Sequence, residues 1–286
     1  DRPALQIIKD AIKKKQIEKG GTIVEGTAGN TGIGLCLVGN SIGLNSIIVM
    51  PRTQSNEKKK MLKLCGAELK LVDALPYKNP GNYIRYSETL AKSIVNEHGV
   101  LWANQFDNLS NKKSHYLTTG PEIYKQLSQK VDAFICSIGT GGTISGVSEF
   151  LKEKNKNIVI GLADPMGSAM HNFYKNGKLK STGSSITEGI GQGRITKNLE
   201  NTVIDESFQI TDTEALNIVY EMVRKEGLIL GGSSGVNIMG AVKLGKLIGP
   251  NKKIVTILCD YGTKYESKIF NKKFLKDKEL PIPEWL

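Results

Sequence analysis

Three glycine-rich turns carry the residues of this sequence best placed to do chemistry. Each falls where an apolar, strand-like run hands over to a helical pattern, the position at which backbone N–H groups and the helix dipole hold an anion. They are Glu25-Gly26-Thr27-Ala28-Gly29-Asn30-Thr31-Gly32, Gly139-Thr140-Gly141-Gly142-Thr143 and Leu230-Gly231-Gly232-Ser233-Ser234-Gly235. In the first, small residues let backbone amides approach a carboxylate or phosphate, and Thr27, Asn30 and Thr31 add side-chain donors; a tight turn with a helix cap accounts for the same letters. The second reads as a phosphate cup. Ile144 stands where the dinucleotide fingerprint G-x-G-x-x-G needs its last glycine, and no G-x-x-x-x-G-K-[ST] occurs, which disfavours NAD and ATP. With no lysine beside it, the cup suits one phosphate monoester better than a triphosphate with magnesium. In the third turn a serine hydroxyl can meet a heterocycle, although small-residue packing explains the glycines too. One phosphate loop, one carboxylate loop and one neutral hydroxyl together describe pyridoxal 5'-phosphate (PLP) bound with an amino acid.

Other chemistries find little support. The histidines are His98, His115 and His171, and the cysteines Cys36, Cys65, Cys136 and Cys259 are far apart, with no C-x-x-C pair and no histidine at zinc-like spacing. No metal site is expected, and the cysteines read as reduced core residues. The formal net charge of +11 points to an anionic partner. Yet the lysines are spread in short runs such as Lys58-Lys59-Lys60 and Lys112-Lys113, without interleaved aromatics to stack on bases, so a solvated lysine-rich surface is expected in place of nucleic-acid binding. No apolar run approaches the ~18 residues of a membrane span, and no basic-then-apolar leader opens the sequence. A cytoplasmic protein with no membrane partner is the expectation.

The elements that must position these turns alternate along the chain. Apolar runs at 22–24, 46–50, 68–72, 100–104, 133–138, 159–163 and 254–258 predict strands. Helical patterns at 31–40, 56–65, 82–97, 121–128, 144–154, 213–226 and 234–248 separate them, several stopped by a glycine such as Gly66 or Gly99. Such alternation implies an α/β fold with parallel sheets covered by helices on both faces. A chain of 286 residues builds this as one large domain or two smaller ones, and a divide is expected near Gln105-Phe106, giving a smaller unit over 1–107 and a larger one over 108–286. The stretch 165–195 shows no periodicity and is predicted as a long functional loop.

These motifs make the sequence resemble, over essentially its whole length, the fold-type II PLP enzymes, and most closely the cysteine synthases (O-acetylserine sulfhydrylases). The resemblance implies two domains with open, mostly parallel twisted sheets flanked by helices, as in the tryptophan synthase β subunit, with the PLP cleft between them. It implies that Thr27, Ala28, Gly29 and Thr31, with Gln105, bind the substrate carboxylate; that Asn30 meets the cofactor's 3'-oxygen; that Gly139, Thr140, Gly141, Gly142 and Thr143 hold its phosphate; and that Ser233 faces the pyridine nitrogen. Thr118-Thr119-Gly120-Pro121-Glu122-Ile123 and Gly189-Ile190-Gly191 are further family-like stretches. The family's Schiff-base lysine lies just before an acidic or small residue and an arginine; as the chain starts Asp1-Arg2-Pro3, that lysine is expected immediately before Asp1, with the family's first strands also upstream, and no lysine within the numbering replaces it. Ala28 departs from the family's usual serine, and Asp260 in Leu258-Cys259-Asp260-Tyr261-Gly262 is similar to the aspartate of cystathionine β-synthase-like members.

The implied activity is β-replacement: an activated serine such as O-acetylserine loses its β-substituent, and sulfide adds to the resulting α-aminoacrylate to give L-cysteine. Cystathionine β-synthase and cysteine desulfhydrase activities use the same machinery. Serine or threonine dehydratases fit less well, because their phosphate loop is a run of glycines. The implied partners are the amino-acid substrate and sulfide, a second copy of the chain in a homodimer, and the C-terminal tail of serine acetyltransferase. A catalytically inactive homologue serving as a binding partner is the non-enzyme alternative.

Overall fold

Apolar runs in this chain become the parallel strands of two four-stranded sheets. The computed structural model describes all residues, Asp1–Leu286, and they divide into two units, Asp1–Ser114 and His115–Leu286.

In the first unit the order is α1 (Arg2–Lys13), β1 (Thr22–Gly26), α2 (Asn30–Ser41), β2 (Asn45–Pro51), α3 (Asn56–Leu64), β3 (Glu68–Val72), α4 (Tyr83–Ser93), β4 (Val100–Trp102) and α5 (Ser110–Ser114). The strands lie in the order β3-β2-β1-β4, all parallel, with Val24 opposite both Ile47 and Trp102. Parallel neighbours need crossover connections, which the helices supply. Every residue of β1 is buried, as expected for a strand covered on both faces. One apolar cluster gathers Ile7, Ile8, Ile23, Leu35 and Leu101, and another Ile33, Cys36, Ile48, Met50 and Leu62. The chain order reverses between β1 and β4, so the loops leaving their carboxyl ends diverge and open a crevice, the usual ligand position in an open α/β sheet.

The second unit repeats the plan. A five-residue π-turn, His115–Thr119, precedes α6 (Gly120–Gln126), β5 (Ala133–Cys136), α7 (Gly142–Lys154), β6 (Val159–Pro165), α8 (Met170–Asn176), β7 (Glu206–Ile210), α9 (Asp212–Glu226), α10 (Gly232–Ile248), β8 (Ile254–Val255) and α11 (Lys272–Asp277). Its parallel order is β7-β6-β5-β8, with the reversal between β5 and β8. Phe134, Ile138, Ile144, Val147, Ile160 and Leu162 form the main core here.

Three expectations need correcting. The stretch 165–195 is not uniformly irregular, because Met170–Asn176 forms α8, ended by Gly177 in the left-handed region at φ 69°. Glu206–Ile210 forms a sheet-edge strand that the sequence does not predict, since its polar residues hide the apolar pattern. The last strand is two residues long, Ile254–Val255, against the expected five. No helix is long and apolar enough to cross a membrane.

Candidate active site

In the first unit, the loop after β1 and the loop after β4 meet at the reversal point. β1 ends at Gly26, where a Cβ would come within 2.5 Å of the Tyr83 carbonyl oxygen. The next turn is held by the Gly29 N–H, which donates to Thr27 Oγ1 at 3.1 Å. Gly29 has φ 145°, a conformation open to glycine alone, and a Cβ there would lie 2.7 Å from Lys58 Cδ. α2 then starts with no side-chain cap and no acidic residue in its first turn, which leaves its positive end suited to an anion. Ala28 and Thr31 are half-buried and Asn30 is exposed, so the loop faces solvent.

Gln105, on the loop after β4, is tied to this turn at both ends. Its Oε1 accepts from Thr31 Oγ1 at 2.5 Å, and its Nε2 donates to the Gly26 carbonyl at 3.3 Å. Its main chain is held by Asn111 Nδ2, which donates to the Gln105 carbonyl at 2.8 Å, and by Glu25 Oε2, which accepts from the Gln105 N–H at 3.4 Å. Glu25 is 1% exposed. Burial pushes its carboxyl up to about 8, against the pull of hydrogen bonds from Gln105 and from the Asn104 backbone. Asn104 itself sits in the left-handed region at φ 47°, so successive N–H groups converge on the buried carboxyl. Thr27, Gly29, Thr31 and Gln105, which the resemblance assigns to one site, lie together. Glu25, at the head of the same turn, and Lys58 belong to this neighbourhood, and of these two only Lys58 was not expected there. Lys58, predicted on a solvated surface, is 2% exposed; its stem lies where a Gly29 side chain would otherwise be.

In the second unit, the Gly139–Thr143 turn leaves β5 at the β5/β8 reversal. Space dictates two of its glycines: a Cβ on Gly139 would strike the Gly189 carbonyl oxygen, and one on Gly141, at φ 89°, would strike the Leu199 side chain. The turn is closed by the Gly142 N–H donating to Thr140 Oγ1 at 3.3 Å, and by Thr196 Oγ1 donating to the Thr140 carbonyl at 2.8 Å. α7 opens with no side-chain cap and no acid in its first turn. Gly139, Thr140 and Thr143 keep partial exposure. A turn whose glycines press against Gly189 and Leu199, with an uncapped helix end and two hydroxyls, fits the phosphate ester of PLP.

The Ser233 turn occupies the same carboxyl edge of that sheet. Asn237, on α10 and wholly buried, accepts from the Ser137 N–H at 2.7 Å and donates to the Ile257 carbonyl at 2.7 Å, joining the exits of β5 and β8. The Gly231 N–H donates to the Asp260 carbonyl at 3.0 Å, and a Cβ on Gly231 would strike the Asp260 carboxyl. That carboxyl accepts from Tyr265 OH at 2.9 Å. Cys259, predicted in the core, is exposed, whereas Cys36, Cys65 and Cys136 are buried. The reason is the short β8: the segment after Val255 leaves the sheet, and its Cys259 N–H donates to Ser234 Oγ at 3.0 Å.

The glycine pair Gly189 and Gly191 borders the cup, with the Gly191 N–H donating to the Ile138 carbonyl at 2.9 Å. Ser168 anchors this stretch, its Oγ accepting from the Gln192 N–H at 3.1 Å. Nearby Asp164, fully buried and pushed up by burial to about 6, accepts from the His171 N–H at 2.8 Å. Asn237, Ser168 and Asp164 carry no motif in the sequence; only the fold brings them to the turns.

Residues 1–260 match the family model described as pyridoxal-phosphate dependent enzyme. Cysteine synthase 1 of Neurospora crassa is 45% identical over 293 residues, covering 100% of this chain and 77% of that protein. Cysteine synthase 1 of Emericella nidulans is likewise 45% identical over 293 residues, covering 100% of this chain and 78% of that protein. Among solved structures, the O-acetylserine-dependent cystathionine β-synthase of Helicobacter pylori superposes with a TM-score of 0.84 at 31% identity, covering 93% of this chain and 84% of that one. The chain belongs to the pyridoxal-phosphate dependent enzyme family.

Proposed function

We propose that the protein is a cysteine synthase, which replaces the β-substituent of O-acetylserine, or of another activated serine, with sulfide to give L-cysteine. The observation that carries this reading is the uncapped helix end at each sheet reversal, with hydroxyls of Thr27 and Thr31 at one and Thr140 and Thr143 at the other. One suits a carboxylate and the other a phosphate ester. Identity of 45% to cysteine synthases over the whole chain supports it.

In this reading Gly139, Thr140, Gly141, Gly142 and Thr143 hold the cofactor's phosphate, Ser233 meets its ring nitrogen and Asn30 its 3'-oxygen. Thr27, Ala28, Gly29, Thr31 and Gln105 bind the substrate carboxylate. When bound, PLP supplies the electron sink that lets a β-substituent leave and be replaced. Ser233 offers the ring nitrogen a neutral hydroxyl instead of an acid, which keeps that sink weak and favours loss of the β-substituent over transamination. The carboxylate loop orients the amino acid. On the resemblance alone we propose a cytoplasmic homodimer, with the tail of serine acetyltransferase as a docking partner.

A second reading, cystathionine β-synthase activity, is favoured by Asp260 and by the likeness to the Helicobacter pylori enzyme. Supplying O-acetylserine to the PLP-loaded protein with either sulfide or homocysteine, and quantifying cysteine and cystathionine, separates the two. Failure to form either product removes both.

A further inference from the structure

The largest side chain that this molecule buries completely is a lysine. Lys58 is 2% exposed, whereas Lys59 is half-buried and Lys60 exposed. It is the third residue of α3, in the turn where a helix's positive end disfavours a cation. Taking an ammonium group out of water is costly as well, and lysine is among the residues least often buried. The stem of Lys58 runs under the turn that follows β1. A Cβ on Gly29 would lie 3.3 Å from Lys58 Cγ, 2.7 Å from Cδ and 3.4 Å from Cε. One bond of ~1.5 Å from Cα to Cβ and another from Cε to Nζ then put the ammonium nitrogen within roughly 6.5 Å of Gly29 Cα. Gly29 is the N-cap of α2, whose first turn holds no acid. The one acid of the loop is Glu25, raised by burial to about 8 and so protonated at neutral pH. The charge of Lys58 therefore adds to the positive end of α2. A residue this buried does not touch a ligand on the solvent side of the turn, but its field reaches one, because a buried charge is weakly screened.

We propose that Lys58 is a positioning residue of the substrate site: its buried ammonium group, beneath the Gly29 turn, supplies the charge by which this loop prefers a carboxylate to a neutral group on the amino-acid substrate. This role rests on the reading of the 27–31 turn as the carboxylate loop, and it gives that loop an electrostatic support from the neighbouring helix α3.

The test titrates the PLP-loaded protein with L-alanine and with L-alaninamide and takes dissociation constants from the change in cofactor absorbance. The two ligands share an amine and a side chain, and only the first carries a carboxylate. Lys58→Met keeps an aliphatic stem beneath Gly29 and removes the charge. A unit charge at this range in a partly buried site is worth on the order of tenfold in affinity. K58M should therefore weaken L-alanine by about tenfold and leave L-alaninamide within about twofold of the unmodified protein. PLP affinity, measured by equilibrium dialysis, should stay the same. Unchanged L-alanine affinity in K58M overturns the proposal. So does a loss that falls equally on L-alaninamide, because the lysine then serves packing alone. If K58M does not fold, Lys58→Gln, polar but uncharged, makes the same comparison. Thr31→Val, which removes a hydroxyl of the loop itself, reads the underlying assignment separately. If T31V leaves L-alanine binding unchanged, the carboxylate-loop reading has failed, and the role of Lys58 falls with it.

Discussion

Gln105 Oε1 accepts a hydrogen bond from Thr31 Oγ1 at 2.5 Å, joining the loops that follow β1 and β4 across 74 residues of sequence. Without it the loop after β1, proposed to bind the substrate carboxylate, keeps its backbone but loses the brace on its far side. A hydrogen bond between neutral groups is worth about 0.5–1.5 kcal/mol. Gln105→Leu should therefore raise KM for O-acetylserine by roughly two- to tenfold. Cofactor affinity should be unchanged. Steady-state kinetics beside PLP dialysis read both; a fall in cofactor affinity with KM intact would move Gln105 out of the substrate site.

Gly141 combines φ 89° with a Leu199 side chain where its own would go. Gly141→Ala should lower stability by about 1–3 kcal/mol, the scale of backbone strain in that region, and weaken PLP binding as the cup is pushed open. Urea denaturation and PLP dialysis give the two numbers. Gly177, also at positive φ but with open space around a Cβ, is the control: its alanine variant should lose stability and leave PLP affinity alone.

Glu25 carries a pH signature. Its carboxyl is raised from 4.5 to about 8 by burial, so the folded chain holds that proton more tightly than the unfolded chain. The contribution to stability is fully present below about 4.5 and is lost as pH climbs through about 8. Glu25→Gln, which cannot ionise, should lose this slope. Thermal midpoints at acidic, neutral and alkaline pH should show the variant gaining on the unmodified protein as pH rises; a difference constant with pH would mean that Glu25 is not titrating in that window.

Thiol chemistry gives a direct check on the segment after β8. Cys36, Cys65 and Cys136 are buried and Cys259 is exposed. A disulfide exchange reagent should titrate one thiol per native chain, faster at alkaline pH because desolvation raises the Cys259 thiol, and all four after denaturation. Cys259→Ser should leave no thiol reactive in the native protein. A second reactive cysteine would contradict the burial described for the other three.

Strands and turns were legible in the sequence where one local property decides them. The run Glu68–Val72 is predicted with the bounds observed, and the glycine turns after β1 and β5 fall at strand-to-helix junctions as expected, whereas the turn at Leu230–Gly235 links α9 to α10 with no strand between them. Glu206–Ile210 was not legible: it reads Glu-Ser-Phe-Gln-Ile, and pairing with β6 overrides a weak local pattern. Arg2–Lys13 has its buried Ala4, Ile7, Ile8 and Ala11 at helical spacing, so the signal for α1 is present in the sequence. Nothing in Lys58-Lys59-Lys60 marks the first lysine as the one turned inward beneath Gly29.

The central claim is tested most directly by incubating the PLP-loaded protein with O-acetylserine and an equal mixture of sulfide and homocysteine, and measuring cysteine and cystathionine by mass spectrometry. The account predicts cysteine as the main product, with formation dependent on sulfide and lost when PLP is stripped. Cystathionine as the main product, or cysteine formed at the same rate without PLP, would contradict it.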